Sequence, residues 1–384
     1  MPLSKIVAKS ITDDTITTDQ IADTSVHGRR NLIINGAMQV AQRGTSSTST
    51  GYQTIDRYKI GFAQVSVTTS QQSLTSGDPY NDGFRNFIRL ANTSVSSATD
   101  AYAQIAQIIE AQDIANSGWQ YASSDSSITL SFWARSSLAG TYYAQFTTFD
   151  TGEYLRDLSF TLAANTWKKI SVTAAGNSNL VFNNDNGQGL LVMIVPHYGT
   201  TYTGGGEVST TDWFSRASQT DAYFPDYAQN WSNTASSTFD VTGLQLEVGD
   251  KATPFEHRSF GEELNLCQRY HYRRDITIYD VAAMGNVLST NRGAFLLHLP
   301  TAMRAKPSVS QGSNIVAWYT TGGSVAGMNN LTTIYMDNDA TDFNQVYIMA
   351  DANSTVASVS YPLALTSYHG SGTADSHVSL DAEL

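Results

Sequence analysis

The chain has 384 residues, 34 acidic against 22 basic side chains, a net charge of -12 and only 15% charged residues. That length bounds two or three ordinary domains, each able to bury its own core, and the acidic balance, with no basic run longer than Arg273-Arg274, excludes a nucleic-acid or anionic-membrane surface. Residues 1–14 lack the apolar stretch of a secretory leader, no apolar run reaches the length of a spanning helix, and the single cysteine, Cys267, permits no intrachain disulfide.

Residues 1–30 place Ile6, Ile11, Ile16, Ile21 and Val26 at intervals of five, separated by Thr, Asp, Ser and Gln. A period of five fits neither a helix nor a strand, so this apolar ladder needs a partner. Asn31 to Met38 (NLIINGAM) reads as a strand followed by an Asn-Gly turn. Ile128 to Ala134, Tyr142 to Phe149, Leu158 to Leu162, Trp167 to Val172 and Leu190 to Val195 read as strands between Gly, Asn and Ser turns. Ala101 to Gln112 is ambiguous, because Ile105, Ile108 and Ile109 have helical spacing.

Phe239 and Val241, then Leu244, Leu246 and Val248, alternate on each side of Gly243, which predicts a strand with a bulge or a close backbone approach at the glycine. Gly249-Asp250 turns the chain and Pro254 blocks helix. Ser259 with Glu262 forms a capping box, which predicts a helix over 259–273 with Glu262 and Glu263 in its first turn and Arg269, Arg273 and Arg274 at its end. Its stripe of Phe260, Leu264, Cys267 and His271 would dock on a neighbouring sheet or, in a trimer, form a three-helix neck; the ladder of residues 1–30 favours the neck. Ile276 to Val281, Ala294 to Leu299, Ile315 to Thr320, Thr332 to Met336, Gln345 to Met349 and Thr355 to Tyr361 predict a second, smaller β-sandwich.

The run GLQLEVGDKATPFEHRSFGEELNLCQRYHYR, from Gly243 to Arg273, resembles a junction in bacteriophage tail-fibre and related virion proteins that joins a jelly-roll domain to a C-terminal domain. SITDDTITTDQIAD resembles the shafts of such fibres, and LPTAMRAKPSV (Leu299 to Val309) and the final VSLDAEL resemble parts of their C-terminal domains. The resemblance implies an all-β architecture: residues 1–30 a trimeric shaft with Ile6, Ile11, Ile16, Ile21 and Val26 on its axis, 31–258 a galactose-binding-like, carbohydrate-binding-module-like jelly roll, 259–274 a connecting helix, and 275–384 a tip domain. It resolves Ala101 to Gln112 as a strand followed by a helical turn. It further implies a homotrimer, folded in the host cytoplasm and attached through its first residues to other phage tail or capsid proteins, which meets a host cell-surface polysaccharide or another receptor, with no catalysis, nucleic acid or membrane insertion. A purely architectural head fibre, collar or adaptor and a glycan depolymerase are the alternatives.

No HExxH, CxxC, G-x-S-x-G or P-loop is present, and the seven histidines are scattered. Gly204-Gly205-Gly206 has no strand-to-helix context and reads as a loop tip. Sugar binding needs exposed rings beside hydroxyl-binding groups, and two clusters supply them. One is Trp213, Tyr223, Tyr227 and Trp231 around Asp221, Asp226 and Asn230; the other is Tyr319, Tyr335 and Tyr347 near Asp337, Asn338 and Asp339. Against this, rings pack cores or subunit interfaces more often than they bind ligands, and the resemblance to the jelly-roll family implies core positions for Trp133 and Trp167, which lie within strands. No cofactor is implied. Galactose-binding-like jelly rolls often hold a structural Ca²⁺, for which Asp185 in Asn183 to Gly187 is the candidate ligand, though such runs are usually turns.

Overall fold

The computed structural model describes residues 29–203, 208–218, 223–276, 280–289, 291–313, 315–321, 324–336, 345–352, 362–367 and 376–384. The period-five ladder of residues 1–30 therefore lies outside the described residues, apart from Arg29 and Arg30. The fold is all-β. Strands β1 (Ser46–Ser47), β2 (Lys59–Ala63), β3 (Ser66–Ser73), β4 (Asn86–Ser94), β5 (Tyr102–Glu110), β6 (Ser127–Ser136), β7 (Gly140–Thr148), β8 (Tyr154–Leu162), β9 (Lys168–Ala175), β10 (Gln188–Tyr198), β11 (Phe214–Ser215) and β12 (Thr238–Val248) form two antiparallel sheets. Their orders are β1-β3-β4-β12-β6-β9 and β11-β8-β7-β10-β5-β2. Ile105, Phe132, Phe146, Val192, Phe239 and Leu246 meet between the sheets with no solvent exposure to speak of, each such side chain contributing about 1.5–3 kcal/mol. The ambiguous segment 101–112 is strand β5, running into the helical turn α2 (Ala111–Ala115); an earlier helical turn, α1, spans Asp78–Asn81.

Strand β12 shows how the sequence pattern becomes geometry. Phe239 and Val241 face the core, as do Leu244 and Leu246, so the inward parity switches. The pairing with β6 shifts between Thr242 and Gln245, and Gly243 takes φ +66°. A Cβ at Gly243 would lie 2.6 Å from the Phe84 ring, so the bulge requires glycine.

Residues 31–38, expected as a strand, form a loop that buttresses this bulge. Asn31 donates to Leu244 O at 3.0 Å and accepts from Leu246 N at 3.0 Å, and Leu244 N donates to Gly36 O. Asn35 sits at φ +61°, a conformation asparagine tolerates better than most residues, and its side chain bonds Val40 and Asp56 carbonyls and the Gln39 and Val40 amides. Local polar bonding replaces the strand ladder there.

Helix α3 spans Phe260–Gln268, and Ser259 Oγ caps Glu262 N at 3.3 Å. It is shorter than expected. Arg273 and Arg274 are not in its last turn but in strand β13 (His271–Asp275), which pairs with β21 (His377–Asp381) more than a hundred residues on. Cys267 and Tyr270 are buried, and Arg269 and Tyr270 bind Glu110 at the end of β5. The Cys267 to His271 part of the expected stripe docks within the chain and is not available to a three-helix neck, while Phe260 at its start is exposed.

Beyond β13 come β14 (Ala283–Ser289), β15 (Arg292–His298), β16 (Ser308–Gln311), β17 (Ile315–Thr321), β18 (Ser324–Met336), β19 (Gln345–Ala352), β20 (Pro362–Ser367) and β21. Strands β14-β15-β19-β18-β17-β20 close into a barrel, and β13-β21-β16 make a three-stranded sheet. Closure, which removes both sheet edges, is a feature the alternation of single strands does not convey. Ile276 to Val281, expected as a strand, is not one in its described residues; Thr355 to Tyr361 lies outside them. Phe295, Leu297, Ile315, Ile348, Leu363 and Leu380 form a second hydrophobic cluster, separate from that of the sandwich.

Residues 381–384 tie the two clusters together. Arg57, 1% exposed, forms an ion pair with Glu383, itself 4% exposed in its side chain, and donates to Ile108 O. Its guanidinium lies 3.4 Å from the centre of the Tyr270 ring. Arg43 pairs with Asp381 at 2.7 Å and Tyr52 donates to Leu384 O at 3.0 Å. Burial pushes the Arg57 pKa down, but Glu383 and the surrounding tyrosines more than reverse that, and the guanidinium stays charged.

Two stability predictions follow from these contacts. Gly243→Ala should lower unfolding free energy in urea by about 2–4 kcal/mol, combining a strained φ with the overlap on Phe84; an unchanged midpoint would show that the bulge relaxes without cost. Glu383→Ala leaves a buried guanidinium unpaired and should cost about 3–5 kcal/mol, whereas Arg29→Ala, which removes an ion pair from a side chain 74% exposed, should cost less than about 1 kcal/mol. Equal losses in the two variants would contradict a buried pair at Arg57.

Candidate ligand-binding cleft

Four of the expected glycan-binding residues belong to the long segment between β10 and β12, and the structure divides them. Trp213 and Trp231 are buried, which corrects the expectation of exposed rings. Trp213 donates to Ala175 O at 2.8 Å and stacks on Phe146, and Trp231 is sealed inside the sandwich core. Burial of these two large rings anchors the segment at both ends. Tyr223 and Tyr227 stay half-buried on its surface.

Between those anchors the segment crosses the outer face of the β8-β7-β10-β5 sheet, packing Phe224 against Ala106, Tyr143, Met193 and Val195. At the end of the sandwich it leaves a cleft of about 380 Å³ lined by residues 97–99, His197 to Thr200, Thr203 and Asp226 to Asn230. That volume lies in the range of small-ligand sites. Thr203 donates to Asp226 Oδ1 at 2.8 Å, Tyr227 OH reaches Val195 O at 3.4 Å, and Gln229 donates to Thr141 O at 2.6 Å. These bonds hold the wall of the cleft from behind.

A ring cluster adjoins it. Tyr102 and Tyr198 stack with centroids 5.1 Å apart, Tyr202 stands edge-on to both, and Tyr202 leads on to Tyr223. Arg216 covers Tyr223 at 3.3 Å from its centroid. Tyr102, Tyr198 and Tyr202 are half-buried, and Tyr198 is stacked between Tyr102 and Phe224. Sequence reasoning missed these three, and it missed His197.

His197 owes its place to a bulge. Strand β10 carries one extra residue against β5 between Ile194 and His197, so His197 pairs with Ala103 and not with the outward series of Met193 and Val195. Pro196, which has no backbone donor, sits in the bulge; a proline within a strand pattern was the available signal. His197 is 7% exposed, and its Nδ1 has no hydrogen-bond partner among the described residues. Burial pushes its pKa down to about 4.

A larger cleft of about 470 Å³ lies at Arg29 to Leu32, Arg258 and Leu266, with no aromatic ring in its lining. Its guanidiniums are engaged by Glu262, Pro254 O and Glu256. Under the outer segment, Asp157 is fully buried, with Oδ1 bonded by Gln145 at 2.8 Å, and burial pushes its pKa up to about 8.

In the barrel, Tyr335 is exposed beside Arg292, which pairs with Asp351. Tyr319 lies on β17 and Tyr347 on β19, but their side chains lie outside the described residues, as do Asp337, Asn338, Asp339, Asp221 and Gly204 to Gly206. Asp185 accepts from Gly187 N at 2.9 Å in a turn of its own making. Among the described residues no group of three or more His, Cys, Asp or Glu side chains is placed to hold a metal, and no helix is long and apolar enough to cross a membrane.

The His197 environment gives a pH dependence of known sign. The folded state binds fewer protons here than the unfolded chain, so stability present above about pH 6.5 should be lost as pH falls through about 4, by about 2–3 kcal/mol. His197→Asn should flatten that slope in urea midpoints taken between pH 7 and 4. An identical slope in the variant would assign the acid sensitivity to other groups.

No family model matches the sequence, and no curated protein matches it. Among solved structures, the enzymatically active domain of tailspike protein 4 of bacteriophage CBA120 is similar over 57% of this chain and 21% of that one, with 12% identity and a TM-score of 0.31. A family 4 carbohydrate-binding module (8% identity, 56% of this chain, 98% of that one, TM-score 0.29) and a family 16 module (11%, 56%, 99%, TM-score 0.27) are similar over a like share. At these scores and identities the likenesses carry no functional argument.

Proposed function

We propose that the chain is a non-enzymatic structural protein of a phage virion that binds a host-surface glycan, with the cleft at the end of the sandwich as its binding site. The observation that supports this reading most is the cleft itself: a sugar-sized space with Asp226, Asn230 and His197 in its lining and half-buried tyrosine rings beside it. The polar groups suit the hydroxyls of a sugar. The virion role rests on the resemblance of the Gly243 to Arg273 run to fibre junctions. In the same reading residues 1–30 form a trimeric shaft that docks on the particle, the barrel is the distal tip, and three copies raise avidity through effective concentration.

The test is adsorption of the full chain to host cells and to their isolated surface polysaccharide. Ala228→Trp, at an exposed position in the lining, should block the cleft and reduce binding at least about fivefold with an unchanged melting temperature, and Asn230→Ala should weaken it by about 1 kcal/mol; Tyr335→Ala should leave it intact. Binding that survives Ala228→Trp but is lost in Tyr335→Ala would move the site to the barrel. No adsorption by the wild type would support the architectural alternative, and shortening of the polysaccharide on incubation would support a depolymerase.

A further inference from the structure

We infer that the cleft discriminates by charge, with Asp226 the residue that determines it: it takes hydroxyl- or amine-donating sugars and rejects acidic ones. The inference rests on the saccharide-binding reading above and adds the class of ligand to it.

Four side-chain donors of the lining are engaged within the protein. Tyr227 OH donates to Val195 O, Tyr198 OH to Gln104, Thr203 Oγ1 to Asp226 and Gln229 Nε2 to Thr141 O. Asp226 is the one carboxylate of the lining and is exposed, and the nearly buried His197 ring has no partner for Nδ1 among the described residues. A buried polar group without a partner is costly unless something else supplies the bond.

Charge completes the picture. The lining contains no lysine or arginine. Arg216, the cation of the adjoining ring cluster, lies over Tyr223 and faces Glu153 at 3.6 Å, and Asp100, next to the lining, accepts from Gln64 at 3.0 Å. A carboxylate or sulfate on the ligand would thus meet Asp226 with no counter-charge in the lining. Two like charges about 4 Å apart repel by about 1 kcal/mol even at the dielectric of water, which is a loss of about fivefold in affinity.

The experiment compares three probes of equal length on the full chain by calorimetry: a neutral hexose oligomer, a uronic-acid oligomer and a glucosamine oligomer at pH 6. The wild type should bind the neutral and amino oligomers and bind the uronate oligomer at least about fivefold more weakly. Asp226→Asn should gain uronate binding and lose any preference for the amino oligomer, a gain that an unfolded variant cannot mimic. Uronate binding as strong as neutral binding in the wild type, or a ranking unchanged in Asp226→Asn, would overturn the inference while leaving saccharide binding in place. Binding of none of the probes, in wild type and variant alike, would instead count against the saccharide reading itself.

Discussion

Arg57 is a cation without water, and the arrangement of the molecule turns on how its charge is met. A guanidinium at this depth is tolerated only with a counter-charge and hydrogen bonds in place. Glu383 supplies the first, Ile108 O one of the second, and the Tyr270 ring covers one face. These partners come from β5, from the end of α3 and from the residues after β21, which are remote in sequence. A few side chains therefore fix how the sandwich, the helix and the barrel meet.

Glu110 works alongside it. Arg269 forks onto its two oxygens at 2.8 Å each and Tyr270 OH reaches it at 2.6 Å. Burial raises the Glu110 pKa, but these bonds outweigh burial and the net shift is downward, so the carboxylate is charged at neutral pH. Helix α3 ends ahead of β13, whose pairing with β21 a helix continued to Arg273 would break. The cleft lies at the end of the sandwich and is formed by other loops, so it shares no residue with this anchorage.

Much of the fold was legible because strands bury alternate residues. Ile128 to Ala134 reads directly as β6 and the parity switch around Gly243 located the bulge, while Leu190 to Val195 reads as β10 from a continuous apolar run whose two faces are both covered. What failed was decided by distant partners. Arg273 and Arg274 complement a helix dipole locally, yet β21 claims them as strand. Asn31 to Met38 has strand composition, but its asparagines bond to β12 and to their own loop. Of the rings expected at a surface, Tyr223 and Tyr227 stay half-buried beside Asp226, whereas Trp213 and Trp231 in the same segment turn inward. No rule of spacing separates an anchoring ring from a surface one. His197 was hidden because its position depends on a bulge marked only by Pro196.

Native-state hydrogen exchange tests the coupling at Arg57 most directly. If the buried pair joins the parts, amides of Phe260–Gln268, of His271–Asp275 and of the end of β5 should open with one shared free energy, and Glu383→Gln should lower all three together. Exchange from the helix and β13 that is much faster than from β5 in the wild type, and indifferent to Glu383→Gln, would contradict the account.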